Sequence, residues 1–204
     1  MVKRLLLGTR NPEKETLFRV LFEELPIEVV SLDDLGIDVA VREDGLTPEA
    51  NAEKKAWAYF AASGVPTLAV DAGLTIEDFP PEKQPDVRVN RISRISRVNG
   101  GQSASDRELL DHYARELAAV GGKSVGRWHV ALALAVAADR VISRSYVMET
   151  VLTSQASEVL LPGAPLSSLM IDRATGRYFS ELAPWERPDA GEIFRFVARH
   201  VDVL

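Results

Sequence analysis

The chain has 204 residues, enough for one well-buried domain or one domain with a small lobe, and its 46% hydrophobic and 26% charged content is that of an ordinary soluble globular protein. A net charge of −6 gives no global attraction to nucleic acid or to an anionic membrane, so an anionic ligand has to be held by local Lys and Arg. The absence of cysteine excludes disulfides, cysteine zinc sites and thiol catalysis, and it fits a reducing cytoplasm.

Met1 to Leu7 reads as a short strand rather than a signal peptide, with Leu5 to Leu7 buried. Helix one is expected from Pro12 to about Leu25, with Leu17, Val20, Leu21 and Leu25 on one face. Ile27 to Ser31 is a second strand. Thr47-Pro48 opens another helix by a cap-plus-proline signal, and Gly64 closes it. Thr67 to Val70 is a strand expected to end at Asp71-Ala72-Gly73, and Pro80 to Pro85 is a loop. Ser105 to Val120 is an amphipathic helix stopped by Gly121-Gly122. Arg127 to Ala137 and Val141 to Thr153 alternate as strands around a tight turn at Ala138-Asp139-Arg140. Val130 to Ala138, the longest strongly apolar stretch, is too short to span a bilayer. Pro162 to Pro165 is a loop, and Asp189 caps a last helix running to about His200. Early alternation of strands and helices followed by a long hairpin indicates an α/β fold with a mixed sheet.

Four places carry residues suited to chemistry. The first is the corner Gly8-Thr9-Arg10-Asn11-Pro12-Glu13-Lys14. Asn11 is a good N-cap and Pro12 suits the first helical position. Lys14 then sits in the positive first turn, an arrangement that a bound phosphate would make favourable. The same residues also fit a plain turn in which Glu13 and Glu15 offset Lys14. The second place is the helix face carrying Asn51 and Lys55, four apart, which suits either a phosphate or a solvated surface. The third is Asp71, placed after a buried strand, where a carboxylate can hold Mg²⁺, draw a proton from water or cap a turn. The fourth is Arg88, Arg91, Arg94 and Arg97 at spacing three, a clamp for a polyanion or a charged surface. His112, His129 and His200 are scattered and form no metal-ligand pattern, and His129 in an alternating strand reads as structural.

In order along the chain, these pieces resemble the inosine triphosphate pyrophosphatase family. Its opening T-x-N-x-x-K stands as Thr9-Arg10-Asn11-Pro12-Glu13-Lys14. Its G-x-T…N-A…K-A helix stands as Gly45-Leu46-Thr47, Asn51-Ala52 and Lys55-Ala56, and its D-S-G-L segment as Asp71-Ala72-Gly73-Leu74. An arginine after a Pro-Gly step is matched by Arg91 after Pro85-Asp86. The Ser105-Asp106 helix and the Arg127-Trp128-His129 strand follow in family order, so the resemblance covers most of residues 1 to about 140.

The resemblance implies a single domain over residues 1–204, α/β, with an elongated mixed twisted sheet, flanking helices and two lobes around a central cleft. It implies hydrolysis of non-standard purine nucleoside triphosphates such as ITP, dITP and XTP to monophosphate and pyrophosphate, with Mg²⁺ or Mn²⁺. Asp71 would activate the water and hold the metal. Thr9, Asn11, Lys14, Asn51, Lys55 and Arg91 would bind substrate. A cytoplasmic homodimer is implied, with no nucleic-acid or membrane partner.

The sequence departs from the family at two metal-side positions. Ala50 stands where a Glu precedes Asn-Ala, and Val70 stands where a second acid precedes the aspartate. Glu49, one residue away, is the substitute metal ligand, although one helical step turns a side chain by about 100°; Glu77 is a further acid on the segment. The base-flanking loop G-G-F-G-Y-D-P-x-F aligns with Pro162-Gly163-Ala164-Pro165-Leu166-Ser167-Ser168-Leu169-Met170. Ala164 and Leu166 replace its aromatics and Ser167 its aspartate. No Ser-His-Arg motif stands between Leu182 and Asp189, and Trp185 and Tyr178 are the aromatic substitutes nearby. Two other readings therefore stand beside the pyrophosphatase: a non-catalytic nucleotide-binding relative, and a hydrolase of a non-nucleotide phosphoanhydride.

Overall fold

A computed structural model describes residues 2–89 and 104–204. Their strands form one six-stranded sheet in the order β2-β1-β3-β4-β5-β6. The strands are β1 (Lys3–Leu7), β2 (Ile27–Val30), β3 (Thr67–Ile76), β4 (Lys123–Ala137), β5 (Arg140–Thr153) and β6 (Met170–Ile171). The helices are α1 (Pro12–Leu21), α2 (Pro48–Ser63), α3 (Asp106–Ala119) and α4 (Ala190–Ala198). β1 pairs in parallel with both β2 and β3, whereas β6 pairs antiparallel with β5. The sheet is therefore mixed and flanked by helices, as the alternation of elements indicated.

The described residues fall into two compact units, Met1–Ala72 with Val130–Tyr146 and Pro188–Leu204, and Gly73–His129 with Val147–Arg187. In the first, α2 lies on the sheet through small residues. Ala52 and Ala56 meet Ala69 of β3 and Ala131, Ala133 and Ala135 of β4. Short side chains bring the helix backbone close to the strands. A second cluster packs Leu6, Val30, Leu32 and Tyr59. Gly8 is required at this approach: a Cβ there would stand 3.1 Å from both Thr67 Cγ2 and Tyr59 Cδ2. The second unit builds its core from Leu74 and Ile76 of β3, Leu109, Leu110, Tyr113 and Leu117 of α3, and Leu166 and Leu169.

Some expected bounds change: β4 begins at Lys123, not Arg127, and β5 at Arg140, not Val141, so the turn between them is Ala138-Asp139 alone. α1 stops at Leu21, not Leu25, because Pro26 disfavours helical backbone at the residue before it and β2 must start at Ile27. Asp71 does not end its strand: β3 runs through it to Ile76. Partners distant in sequence carry the strand onward, since Leu74 exchanges both backbone hydrogen bonds with Asp86 and the Gln84 side-chain amide pairs with both the N–H and the C=O of Ile76. Asp189 is the N-cap of α4 as expected, its carbonyl accepting from the N–H groups of Glu192 and Ile193.

Candidate active site

The N-terminal corner is a built turn. Thr9 Oγ1 accepts the Asn11 N–H at 3.1 Å. Asn11 Oδ1 accepts the N–H groups of Glu13 and Lys14 at 2.9 and 3.2 Å, so the cap itself satisfies these two donors at the start of α1. The consequence of this capping is direction. With Pro12 fixing the first helical position, Lys14 leaves α1 towards β3, and its Nζ donates to the Val70 carbonyl at 3.3 Å.

α2 delivers the second cation. Its buried stripe comprises Pro48, Asn51, Ala52, Lys55, Ala56 and Tyr59, so Asn51 and Lys55 occupy the core-facing side and not a solvated face. Asn51 is 2% exposed, Lys55 7% and Asp71 8%. Lys55 Nζ donates to the Val70 carbonyl at 3.0 Å and to Asp71 Oδ1 at 3.0 Å. It also pairs with Glu43 Oε1 at 3.2 Å. Lys14, Glu43, Lys55, Val70 and Asp71 all belong to the first unit.

Two ammonium groups thus share one carbonyl oxygen, beside two carboxylates. Lys14 registers the crowding. Burial and then the Lys55 charge pull its pKa below the ordinary lysine value, while Asp71, Glu43 and Glu13 act in the opposite sense. A polyphosphate laid on this cluster would add to the counter-charge that Asp71, Glu43 and Glu13 supply to Lys14.

Glu43 is the residue that sequence reasoning passed over. It comes from a segment without regular structure, so no periodicity pointed to it. The available signal was its place in Glu43-Asp44-Gly45, immediately ahead of the Gly-x-Thr step. Glu49 lies in the first turn of α2, and Glu77 lies in the second unit, tied to Arg127 at 2.8 Å. Among the described residues no group of three or more His, Asp or Glu side chains is assembled for a metal. Two hard oxygen donors, Asp71 and Glu43, nevertheless suit Mg²⁺, which commonly takes one or two carboxylates and completes its shell with water and substrate phosphates.

The model of the Ham1 family matches residues 5–154. The chain belongs to the Ham1 family. A relative from Anaeromyxobacter dehalogenans (strain 2CP-C), named dITP/XTP pyrophosphatase, is 49% identical over 74 residues, 36% of this chain and 32% of its own length. A relative of the same name from Geobacter sulfurreducens is 36% identical over 107 residues, 52% of this chain and 51% of its own length. The chain therefore matches from about a third to a half of the length of these curated relatives. The Coxiella burnetii HAM1 protein superposes with a TM-score of 0.75 at 21% identity, covering 99% of this chain and 100% of that one. The Staphylococcus aureus Ham1 protein gives 0.69 at 16% identity, covering 97% and 100%. These superpositions establish the Ham1 fold.

Within that fold the remaining candidates separate. Arg91, Arg94 and Arg97 lie outside the described residues, while Arg88 is exposed in the second unit. Asp86, standing where the family has glycine, holds φ 47 to make its bridge to Leu74, a left-handed conformation that aspartate tolerates better than most residues. In the loop aligned with the family's base-flanking segment, Leu166 is 4% exposed within the core of the second unit. Ser167 Oγ donates to the Ala164 carbonyl at 2.6 Å and Ser168 Oγ to that of Val159 at 2.5 Å. These side chains are spent on the loop itself. Tyr178 Oη donates to the Gln155 carbonyl at 3.1 Å, and Trp185 is 70% exposed. His129 is an exposed strand residue, 3.5 Å from Thr75 Oγ1.

Proposed function

We infer that this Ham1-family chain is a nucleoside triphosphate pyrophosphatase that cleaves its substrate to the monophosphate and pyrophosphate with a divalent cation, Mg²⁺ or Mn²⁺. One observation carries the reading: Lys14 and Lys55 converge on the Val70 carbonyl with Asp71 and Glu43 beside them. A triphosphate needs cations along its length, and its hydrolysis needs a base for water; this cluster contains both. Asp71 accepts the proton of the attacking water as the new oxygen–phosphorus bond forms. The α–β phosphoanhydride bond breaks, and pyrophosphate leaves with the bridging electrons. Lys14 and Lys55 offset the charge that develops on it. Asp71 and Glu43 would hold the metal, which polarises the phosphoryl group when bound; Glu49 in the first turn of α2 is a further candidate. Thr9 and Asn11 act by shaping the corner that aims Lys14.

The relatives named dITP/XTP pyrophosphatase make non-standard purine nucleotides the first substrates to test. Glu43 also answers the departures at Ala50 and Val70, because it provides a second carboxylate from a different segment. This favours turnover over the reading of a non-catalytic nucleotide binder. Homodimer formation and a cytoplasmic location belong to the same proposal; among the described residues no helix is long and apolar enough to cross a membrane.

The test is pyrophosphate release by purified protein from a panel of common and modified nucleoside triphosphates and inorganic tripolyphosphate, with Mg²⁺ or Mn²⁺. Release from ITP, dITP or XTP above ATP supports the full reading. Tight nucleotide binding without release across the panel would favour the non-catalytic relative, and release from tripolyphosphate alone would favour a non-nucleotide substrate.

A further inference from the structure

Glu43 reaches Lys55 from a stretch without helix or strand, residues 37–45. Something must hold that stretch, because a free loop would lose conformational entropy each time the carboxylate was placed. The exposed Asp44–Lys54 pair at 2.6 Å is a weak tether of the kind solvent screens. Ile37 and Val41 anchor the start of the stretch against the cluster of Leu6, Val30, Leu32 and Tyr59, and beyond Glu43 the hold is made by Asn51, whose Oδ1 accepts the Gly45 N–H at 2.8 Å. The fit there is close: a Cβ on Gly45 would stand 2.6 Å from Asn51 Oδ1 and 3.0 Å from Ala50 Cβ. Gly45 lies two residues after Glu43, and Asn51 lies one helical turn before Lys55 on the same face of α2. One helix face thus grips the loop at Gly45 and offers Lys55 to the loop's carboxylate.

We propose that Asn51 is the positioning residue for Glu43, acting through the Gly45 N–H and not by touching substrate. This rests on the reading that Glu43 and Asp71 serve a triphosphate with its metal. Asn51 is nearly inaccessible, and its carbonyl oxygen is already engaged. Glycine is required at position 45 because any side chain would enter the space of the Asn51 amide.

Two readouts test it on the full-length protein. One is hydrogen exchange of the Gly45 amide without substrate; the other is the Mg²⁺ dependence of pyrophosphate release. Asn51→Ala should speed exchange at Gly45 and raise the half-saturating Mg²⁺ concentration about tenfold, the usual scale for losing a partner that orients a metal ligand. Asn51→Asp keeps an acceptor oxygen for the Gly45 N–H, so exchange at Gly45 should stay near wild type, while its added charge beside Lys55 shifts the Mg²⁺ dependence. Gly45→Ala should reproduce the Asn51→Ala behaviour from the other side of the contact, and it replaces that variant should Asn51→Ala not fold. In a Glu43→Gln background, Asn51→Ala should add little. An undiminished effect in that background, or unchanged exchange at Gly45, overturns the proposal. A wild-type protein that releases no pyrophosphate defeats the assigned activity instead; the Gly45 exchange comparison still decides whether Asn51 holds the loop.

Discussion

Lys14 and Lys55 donate to the same backbone oxygen, that of Val70, at 3.3 and 3.0 Å. They come from different helices, so their meeting is a product of the fold and not of sequence neighbourhood. Like charges brought together at a partly desolvated spot oppose folding unless counter-charge is near. Glu43 and Asp71 provide part of it, and a polyphosphate provides more. On the proposed reading, the site trades some stability in the free protein for affinity towards an anion, a relationship common at functional sites.

Lys14→Met tests that trade. The native protein holds Lys14 below its ordinary value of 10.5, chiefly by burial. The native state then gives up this proton before the unfolded chain does. Between the lowered native value and 10.5 the unfolded chain binds more protons, so this group's contribution makes stability rise with pH across that window. Below the window the destabilisation is fully present. Lys14→Met should raise the urea midpoint at pH 7, with the advantage shrinking as pH climbs towards the ordinary lysine value. Pyrophosphate should stabilise the wild type more than the variant. Parallel stability curves for the two proteins at every pH would refute the argument.

Asp71→Asn separates charge from shape. The amide keeps an oxygen where Lys55 donates at 3.0 Å, so the local hydrogen bond survives. The proton acceptor is lost, which for general-base catalysis removes about 10²–10⁴ in rate. The variant should fold, bind triphosphate and release pyrophosphate slower by that factor. Equal turnover by wild type and Asp71→Asn would remove Asp71 from the chemistry.

Gln84→Ala addresses the continuation of β3. The Gln84 amide accepts the Ile76 N–H at 2.8 Å and donates to the Ile76 and Phe79 carbonyls at 2.7 and 2.8 Å. Truncation leaves partly buried backbone groups unpaired, which destabilises by about 1–3 kcal/mol. Urea denaturation should show a loss of that size with Lys14 and Lys55 untouched. A loss of only a few tenths would mean that water replaces the amide.

Local signals were legible in the sequence because they depend on a few adjacent residues. Asn11-Pro12 and Thr47-Pro48 opened α1 and α2 where expected, and Gly64 closed α2 in the left-handed conformation. The two lysines that converge on the Val70 carbonyl, Lys14 and Lys55, both stood at motif positions. What escaped was set by distant partners. β3 passes Asp71 because Asp86 and Gln84 pair with it farther on, which no period-two pattern reveals. Asn51 and Lys55 looked surface-like beside Glu53 and Lys54, yet they fall on the stripe that carries Ala52, Ala56 and Tyr59 into the core. Polar residues at core-stripe positions were the available warning. Glu43 meets Lys55 from a loop held by tertiary contact, so nothing in the sequence beyond its place just ahead of the Gly-x-Thr step marked it.

Leu166→Phe asks whether base recognition can be restored at the aligned loop. The family resemblance places an aromatic at this position, and a ring stacked on a base contributes about 1–3 kcal/mol where it is free to do so. Here the position is built differently. Leu166 sits in the core of the second unit with Leu109, Leu110 and Phe179, and its short helical turn is pinned by Ser167 and Ser168. A phenyl ring at this site has to displace packed neighbours, which destabilises by about 1–3 kcal/mol. Leu166→Phe should therefore lower the urea midpoint and leave the ratio of kcat/KM for ITP over ATP unchanged. A rise in that ratio without loss of stability would show that the side chain turns out of the core to meet a base, and would return this loop to substrate recognition.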